Sequence, residues 1–110
     1  MREILTFKRY YLDFYDQLEE KAQEKVDYAL MLLKRQSRIS ARFLKHLEDG
    51  IYELRAVYGS NTYRILFFFD EGNIVVLLNS FKKKTTKTPR AEINLAKRLR
   101  REYYESKRRD

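Results

Sequence analysis

The spacing of hydrophobic residues changes near the middle of the chain, from helical steps to the alternation typical of strands. Residues 11–36 place apolar side chains at three- and four-residue steps, with charged side chains on the other face. Asp13 and Asp16 are possible caps within this stretch, which therefore predicts either one helix or two helices with a bend. Residues 2–8 alternate and predict a short strand. Residues 40–47 predict a helical turn or short helix.

Three strands are predicted after the turn signal Asp49-Gly50. They cover Ile51–Tyr58, Asn61–Phe69 and residues 73–81. The dipeptides Gly59-Ser60 and Glu71-Gly72 separate them at the spacing of tight hairpins, so the three strands should form an antiparallel meander. The centre of this sheet is apolar on both faces, with charged residues toward the strand ends.

A last helix is predicted from Pro89 onward. Pro89 suits a first helical turn, Thr88 suits the N-cap, and Glu92 stands where a capping box places its acidic residue. One face of this helix holds Ile93, Ala96, Leu99 and Tyr103. The elements together predict one α+β domain over residues 1–110. In it, the N-terminal strand and helices pack on one side of the antiparallel meander, and a basic helix ends the chain.

Composition narrows the choice of partner. The chain has 110 residues, 44% of them hydrophobic, and no cysteine, so burial rather than disulfides must stabilise the fold. No apolar stretch is long enough to span a bilayer, and we expect a soluble cytoplasmic protein. The formal net charge of +8 lies entirely in residues 80–110, because residues 1–79 hold equal numbers of acidic and basic side chains. Such asymmetry predicts a polyanionic partner, either nucleic acid or an acidic protein.

Several motifs in the second half of the chain resemble those of one protein family. The stretches LEDGIYELRAVYGSNTYRILFFF and IVVLLNSFKKKTTKTPRAEINLAKR contain them. The matching residues are Leu47, Gly50 to Arg55, Tyr63 to Leu66, Leu77-Leu78, Phe81 with Lys83 and Lys84, and Thr88 to Ala96. On these residues the chain resembles the HigB-type toxins of the RelE/ParE superfamily of bacterial type II toxin–antitoxin systems.

The resemblance implies both a fold and an activity. The fold would be RelE-like, a compact domain of the microbial-RNase type. The activity would be cleavage of mRNA in the ribosomal A site, without metal or other cofactor. A cognate HigA-like helix-turn-helix antitoxin would neutralise the toxin. The chain departs from many relatives at Asn79-Ser80, where they have His-Gly, so an imidazole acid or base is missing there.

Metal-free RNA cleavage sets the chemistry that the side chains must supply. Cations must stabilise the charge on the transition state, a base must take the proton of the ribose 2′-OH, and an acid must protonate the leaving 5′-oxygen. Strand alternation places Glu53 and Arg55 on one face, and a hairpin of this length brings Arg64 close to Arg55. We predict that Arg55 and Arg64 clamp the transition state together with Lys83, and that Glu53 or a neutral lysine is the base.

Further basic and aromatic residues are predicted to bind RNA. They are Lys82, Lys84 and Lys87 as phosphate binders, Arg98 on the basic face of the last helix, and Tyr104 as a base-stacking group or proton donor. Tyr103 is the alternative for the tyrosine role. Structural interpretations compete with these roles. Arg64 could instead bridge to an acid of the sheet, Glu53 and Arg55 could form a surface ion pair, and the lone His46 suits packing better than catalysis.

Two other functions are compatible with the sequence. The same superfamily contains gyrase-directed toxins, which inhibit by binding and need no catalytic cations. A nucleic-acid-binding module without activity is the third possibility. It would tolerate a swap of Arg64 to lysine, because binding needs charge whereas an oriented clamp needs the guanidinium fork.

Overall fold

The computed structural model describes residues 1–83 and 87–108 and folds this part of the chain into five strands and three helices. In chain order these are β1 (Glu3–Thr6), α1 (Tyr10–Asp16), α2 (Glu20–Arg35), β2 (Leu44–Glu48), β3 (Ile51–Tyr58), β4 (Asn61–Phe69), β5 (Ile74–Lys83) and α3 (Arg90–Arg108). Of the two alternatives for residues 11–36, the structure has two helices, since α1 and α2 are separate elements. None of the described helices has the length and apolar character needed to cross a membrane.

All five strands form one mixed sheet with the order β1-β5-β4-β3-β2. The strands β2 to β5 make an antiparallel meander, and β1 returns to pair in parallel with β5. The predicted meander and the α+β class are therefore confirmed. The N-terminal strand and β2 form the two edges, so the functional side chains of β3, β4 and β5 lie in the middle of the sheet.

The helices cover both faces of the sheet, not one face as predicted. On one face, α1 and α2 pack against residues such as Ile65 and Phe67, and on the other α3 packs against residues such as Leu66 and Phe68. The reason lies in the second half of β4, where residues 65–69 are all apolar. Because side chains alternate between faces, such a strand has no polar side to leave in water.

The prediction of a short helix over residues 40–47 is wrong. A turn at Ser40 to Phe43 leads into the edge strand β2, which pairs Leu44 with Leu54 and His46 with Tyr52. The apolar positions in this short stretch fit a helical turn as well as a strand, and backbone pairing with β3 decided the outcome. His46 packs edge-on against the Tyr52 ring, with centroids 5.0 Å apart, and its Nε2 accepts a hydrogen bond from the Gly50 amide.

Candidate functional site

Arg55 and Arg64 are direct cross-strand partners near the hairpin between β3 and β4. Their predicted proximity is thereby confirmed. Glu53 precedes Arg55 by two residues and shares its face, which is the face that α3 covers farther along the sheet. These residues and Thr88, just before α3, form a group that we call the arginine cluster.

The centre of the arginine cluster is a buried ion pair. Glu53 is 0% exposed and Arg64 2% exposed. Arg64 Nη1 lies 3.5 Å from Glu53 Oε2 and 3.4 Å from the Thr88 hydroxyl, which in turn donates a hydrogen bond to the Glu53 carboxylate. Buried charges need such pairing, because removing them from water costs several kcal/mol per ion. Arg64 therefore makes the bridge to an acid of the sheet that was the structural alternative.

Arg55 lies at the solvent side of the cluster. Its side chain is 26% exposed, and its Nε is 3.8 Å from Glu53 Oε1. Its Nη2 donates a hydrogen bond of 2.6 Å to the carbonyl of Ala41, in the turn that precedes β2. The guanidinium is thus oriented by a carboxylate and a backbone oxygen while part of it remains open to a ligand.

The lysines at the end of β5 point to opposite faces of the sheet. Lys83 pairs with Thr62 and lies two residues beyond Phe81, the partner of Arg64, so it shares the face of the arginine cluster. Lys82 pairs with Tyr63 and lies on the α1–α2 face. Both are exposed, as is Lys87 between β5 and α3. Lys84, also predicted to bind RNA, lies outside the described residues.

Two of the predicted RNA-binding residues lie far from the arginine cluster. Tyr104 is 14 positions along α3 from Arg90, which corresponds to about 21 Å of helix. Its hydroxyl donates a hydrogen bond of 3.2 Å to Asp70, and its ring contacts Phe68. Arg98 is 54% exposed on the outside of the helix, with its Nε 3.5 Å from Glu102. The structure therefore does not bring these two side chains together with Arg55.

Tyr103 and Tyr104 both bind the Asp70 carboxylate, at the end of β4, although they are neighbours on the helix. Both hydroxyls donate to the buried carboxylate of Asp70, at 2.7 and 3.2 Å, and Lys107 binds the same group at 2.8 Å. Burial opposes ionisation of Asp70, but the hydrogen bonds from Lys107 and Tyr103 outweigh it and lower the pKa to about 2. This cluster fastens the end of α3 to the β4–β5 turn.

The predicted capping box at the start of α3 is replaced by contacts to the sheet. The Thr88 hydroxyl belongs to the arginine cluster, and the Glu92 carboxylate accepts a hydrogen bond of 2.9 Å from Asn79. Asn79 also donates to the Glu92 carbonyl at 3.0 Å. It can do so because it lies two residues before Phe81, whose side chain packs on the α3 side of the sheet.

Several cations of α3 are used inside the molecule. Glu48 binds Arg90 at 2.8 and 2.9 Å and also accepts a hydrogen bond from Lys97, which lies 2.8 Å from Asp49. Hydrogen bonds from Arg90 and Lys97 lower the pKa of Glu48 to about 2. Much of the basic charge that the sequence places on α3 therefore holds the helix against the β2–β3 turn. Among the described residues, no three His, Cys, Asp or Glu side chains are grouped as a metal site would require.

Sequence reasoning missed two of the groups that build this region. Thr88 had a signal, a threonine before proline, but its actual partner Glu53 lies 35 residues earlier in the chain. The Ala41 carbonyl that orients Arg55 had no signal at all, because any residue type provides a backbone oxygen.

The sequence of residues 13–101 matches the model of a protein family described as phage-derived Gp49-like proteins (DUF891). The chain belongs to this Gp49-like family. The match includes Glu53, Arg55, Arg64 and the described lysines 82, 83 and 87, and it ends before Tyr103. No curated protein gives a sequence match to the chain.

Two solved structures with the same fold are a RelE toxin and a RelE–RelB complex. The isolated Escherichia coli RelE toxin aligns with a TM-score of 0.58 and 16% identity over 90% of this chain and 99% of that one. The archaeal RelE–RelB complex from Pyrococcus horikoshii OT3 gives a chain with a TM-score of 0.55 and 12% identity, covering 78% of this chain and 98% of that one. The Gp49-like chain thus has the RelE fold.

Proposed function

We propose that this chain is a RelE-type toxin of a toxin–antitoxin system, and that it cleaves mRNA on the ribosome without a metal ion. The Gp49-like family is associated with toxin–antitoxin systems. The RelE fold and the basic surface at the end of the sheet support the same function. The resemblance to HigB-type toxins adds the expectation of a HigA-like helix-turn-helix antitoxin and of a site of action in the cytoplasm, where translation takes place.

The observation that supports cleavage most directly is the fixed guanidinium of Arg55. It is held by the Ala41 carbonyl and Glu53, is open to solvent, and shares its face with Lys83. A preorganised cation stabilises the pentacoordinate phosphate more than the ground state, because no reorganisation is needed as the charge develops. Loss of one such donor typically lowers the rate by roughly 10²–10³-fold.

The buried residues of the arginine cluster then have a positioning role. Arg64 and Glu53 are paired with each other, contact Thr88, and are buried away from solvent. They therefore act on the substrate only through Arg55. Burial of Glu53 favours the other candidate base of the sequence analysis, a neutral lysine. The described lysines on this face include Lys45, the cross-strand partner of Glu53, and Lys83. The ribose 2′-OH would lose its proton to such an amine as its oxygen attacks the phosphorus. The bond from phosphorus to the 5′-oxygen breaks, and the 5′-oxygen takes a proton from water.

The binding of an antitoxin belongs to the same proposal. The Pyrococcus horikoshii protein with this fold was solved as a complex of RelE with RelB. We propose that a cognate antitoxin binds the present chain as well, with the outward cations of α3 and the lysines of β5 as its polar contacts.

Primer extension on messages from cells expressing the protein tests the function. Wild-type protein should produce cuts within translated message, and Arg55→Ala should reduce them by roughly 10²-fold or more. Arg35→Ala removes an exposed arginine from the last turn of α2 and should cut like wild type. Intact message together with a DNA-damage response would instead identify a gyrase-directed toxin. Intact message without that response would indicate a binding module.

A further inference from the structure

A cleft lies on the α1–α2 face of the sheet. It is at the same end of the sheet as the arginine cluster but on the opposite face. It has a volume of about 450 Å³ and opens between the α1–α2 turn and the β3–β4 hairpin. The side chains that matter for its chemistry are Gln17, Glu19, Tyr58, Asn61, Tyr63 and Lys82. We call it the hairpin cleft. Its volume is within the range typical of small-molecule and cofactor sites.

The polar groups of the hairpin cleft have no partners within the described part of the chain. The side chains of Gln17, Glu19, Asn61 and Lys82 make no hydrogen bond or ion pair there. Tyr63 is the most informative, because the residue as a whole is only 4% exposed, yet its hydroxyl is not among the buried polar atoms without a partner. This hydroxyl makes no hydrogen bond to the described residues and is accessible where Tyr63 lines the cleft. The cleft thus presents unpaired donors and acceptors, as a binding site does.

The kinds of group present fit a nucleotide. The half-buried Tyr58 offers an aromatic surface on which a base can stack. The Glu19 carboxylate accepts hydrogen bonds, which suits the exocyclic amino group of cytosine or adenine, and the amides of Gln17 and Asn61 can donate or accept. The Lys82 ammonium suits a phosphate.

The position of Lys82 links the hairpin cleft to the arginine cluster. Lys82 and Lys83 are consecutive at the end of β5 and face opposite sides of the sheet. A single-stranded RNA with one phosphate at Arg55 can pass over this end and reach the cleft. We infer that the hairpin cleft binds one nucleotide of the RNA substrate and prefers a base with an exocyclic amino group. The route of the RNA, though not the chemistry of the cleft, rests on the proposed function.

The test measures binding directly, so it does not depend on cleavage. Single-stranded hexanucleotides of adenine, cytosine or uracil, with 2′-O-methyl riboses that prevent cleavage, are titrated into isotope-labelled protein and followed by NMR. Adenine or cytosine hexamers should shift the amide signals of residues 17–19 and 58–63. Uracil, which lacks an exocyclic amino group, should bind about tenfold more weakly.

Matched variants assign the effect to the cleft. Glu19→Gln should remove most of the tenfold discrimination against uracil, because an amide can both donate and accept. Glu24→Gln changes an exposed glutamate of α2 outside the cleft and should keep the discrimination. Tyr63→Phe removes only the hydroxyl and should weaken adenine and cytosine binding several-fold while the fold is retained.

Three results would overturn the inference. They are signal shifts confined to the Arg55 face, equal binding of all three hexamers by wild type, or cleft signals that respond to a purified antitoxin but not to RNA. Failure of the wild type to cut message would refute the proposed function and leave the outcome of this titration unaffected. The two ideas can therefore fail separately.

Discussion

Replacing Arg64 by alanine should destabilise the protein more than any surface change of charge. The Glu53 carboxylate is completely buried, and without Arg64 it would keep the Thr88 hydroxyl and the Nε of Arg55 at 3.8 Å. Removing one partner of a buried ion pair costs about 3–5 kcal/mol. Because two groups remain near Glu53, we expect a loss at the lower end, about 3 kcal/mol.

A double variant separates stability from function. Glu53→Leu with Arg64→Met removes both charges and fills similar volume with apolar atoms, and such replacements are often neutral or stabilising. The double variant should therefore recover most of the stability lost in Arg64→Ala. It should still fail to cut message, because no carboxylate then holds Arg55. Arg64→Lys keeps the charge but not the planar fork, and should lose both activity and part of the stability.

Urea unfolding followed by circular dichroism measures the free energy of unfolding of each variant. Primer extension measures message cleavage. Small domains are stable by about 5–15 kcal/mol, so Arg64→Ala should still fold in water. A loss below about 1 kcal/mol, or a double variant less stable than the single one, would refute the buried-pair argument. Message cleavage at the wild-type rate by the double variant would refute the positioning role of Arg64.

Three further predictions concern how the fold is held. Asp70 has a pKa lowered to about 2 from 3.8, so it should add about 2 kcal/mol of stability above pH 4 that is lost as the pH falls through 2. Asp70→Asn should remove this dependence from urea midpoints measured across that range, and an unchanged acid profile would contradict it. Asn79→Ala removes both hydrogen bonds to Glu92 and should lower the free energy of unfolding, measured in urea, by about 1–3 kcal/mol. A loss below a few tenths of a kcal/mol would show that these bonds are not stabilising. Gly50 and Gly72 both have positive φ, so Gly50→Ala and Gly72→Ala should each be strained. An added Cβ at Gly50 would also lie 3.3 Å from Arg100 Nη1, whereas one at Gly72 would meet no atom within 4 Å, so the thermal midpoint of Gly50→Ala should fall further. Equal midpoints would contradict this.

Local patterns in the sequence determined most of the secondary structure. The hairpins of β3, β4 and β5 follow from alternation broken by two glycine-containing turns, and the amphipathic helices follow from the period of their apolar residues. These signals are short in range, so they could be interpreted without knowing the fold. The proximity of Arg55 and Arg64 is predictable for the same reason, since it depends only on the register of one hairpin.

Tertiary structure decided which charges are available to a ligand. The sequence presents Glu53, Arg64 and Tyr104 as polar groups of equal standing with Arg55, whereas the fold buries the first two together and directs the Tyr104 hydroxyl to Asp70. It also supplies the Ala41 carbonyl, forms the edge strand β2 where a short helix was predicted, and places helices on both faces of the sheet. Burial, ion pairing and strand addition depend on residues far apart in sequence, and no local pattern of side chains records which distant partner each will meet.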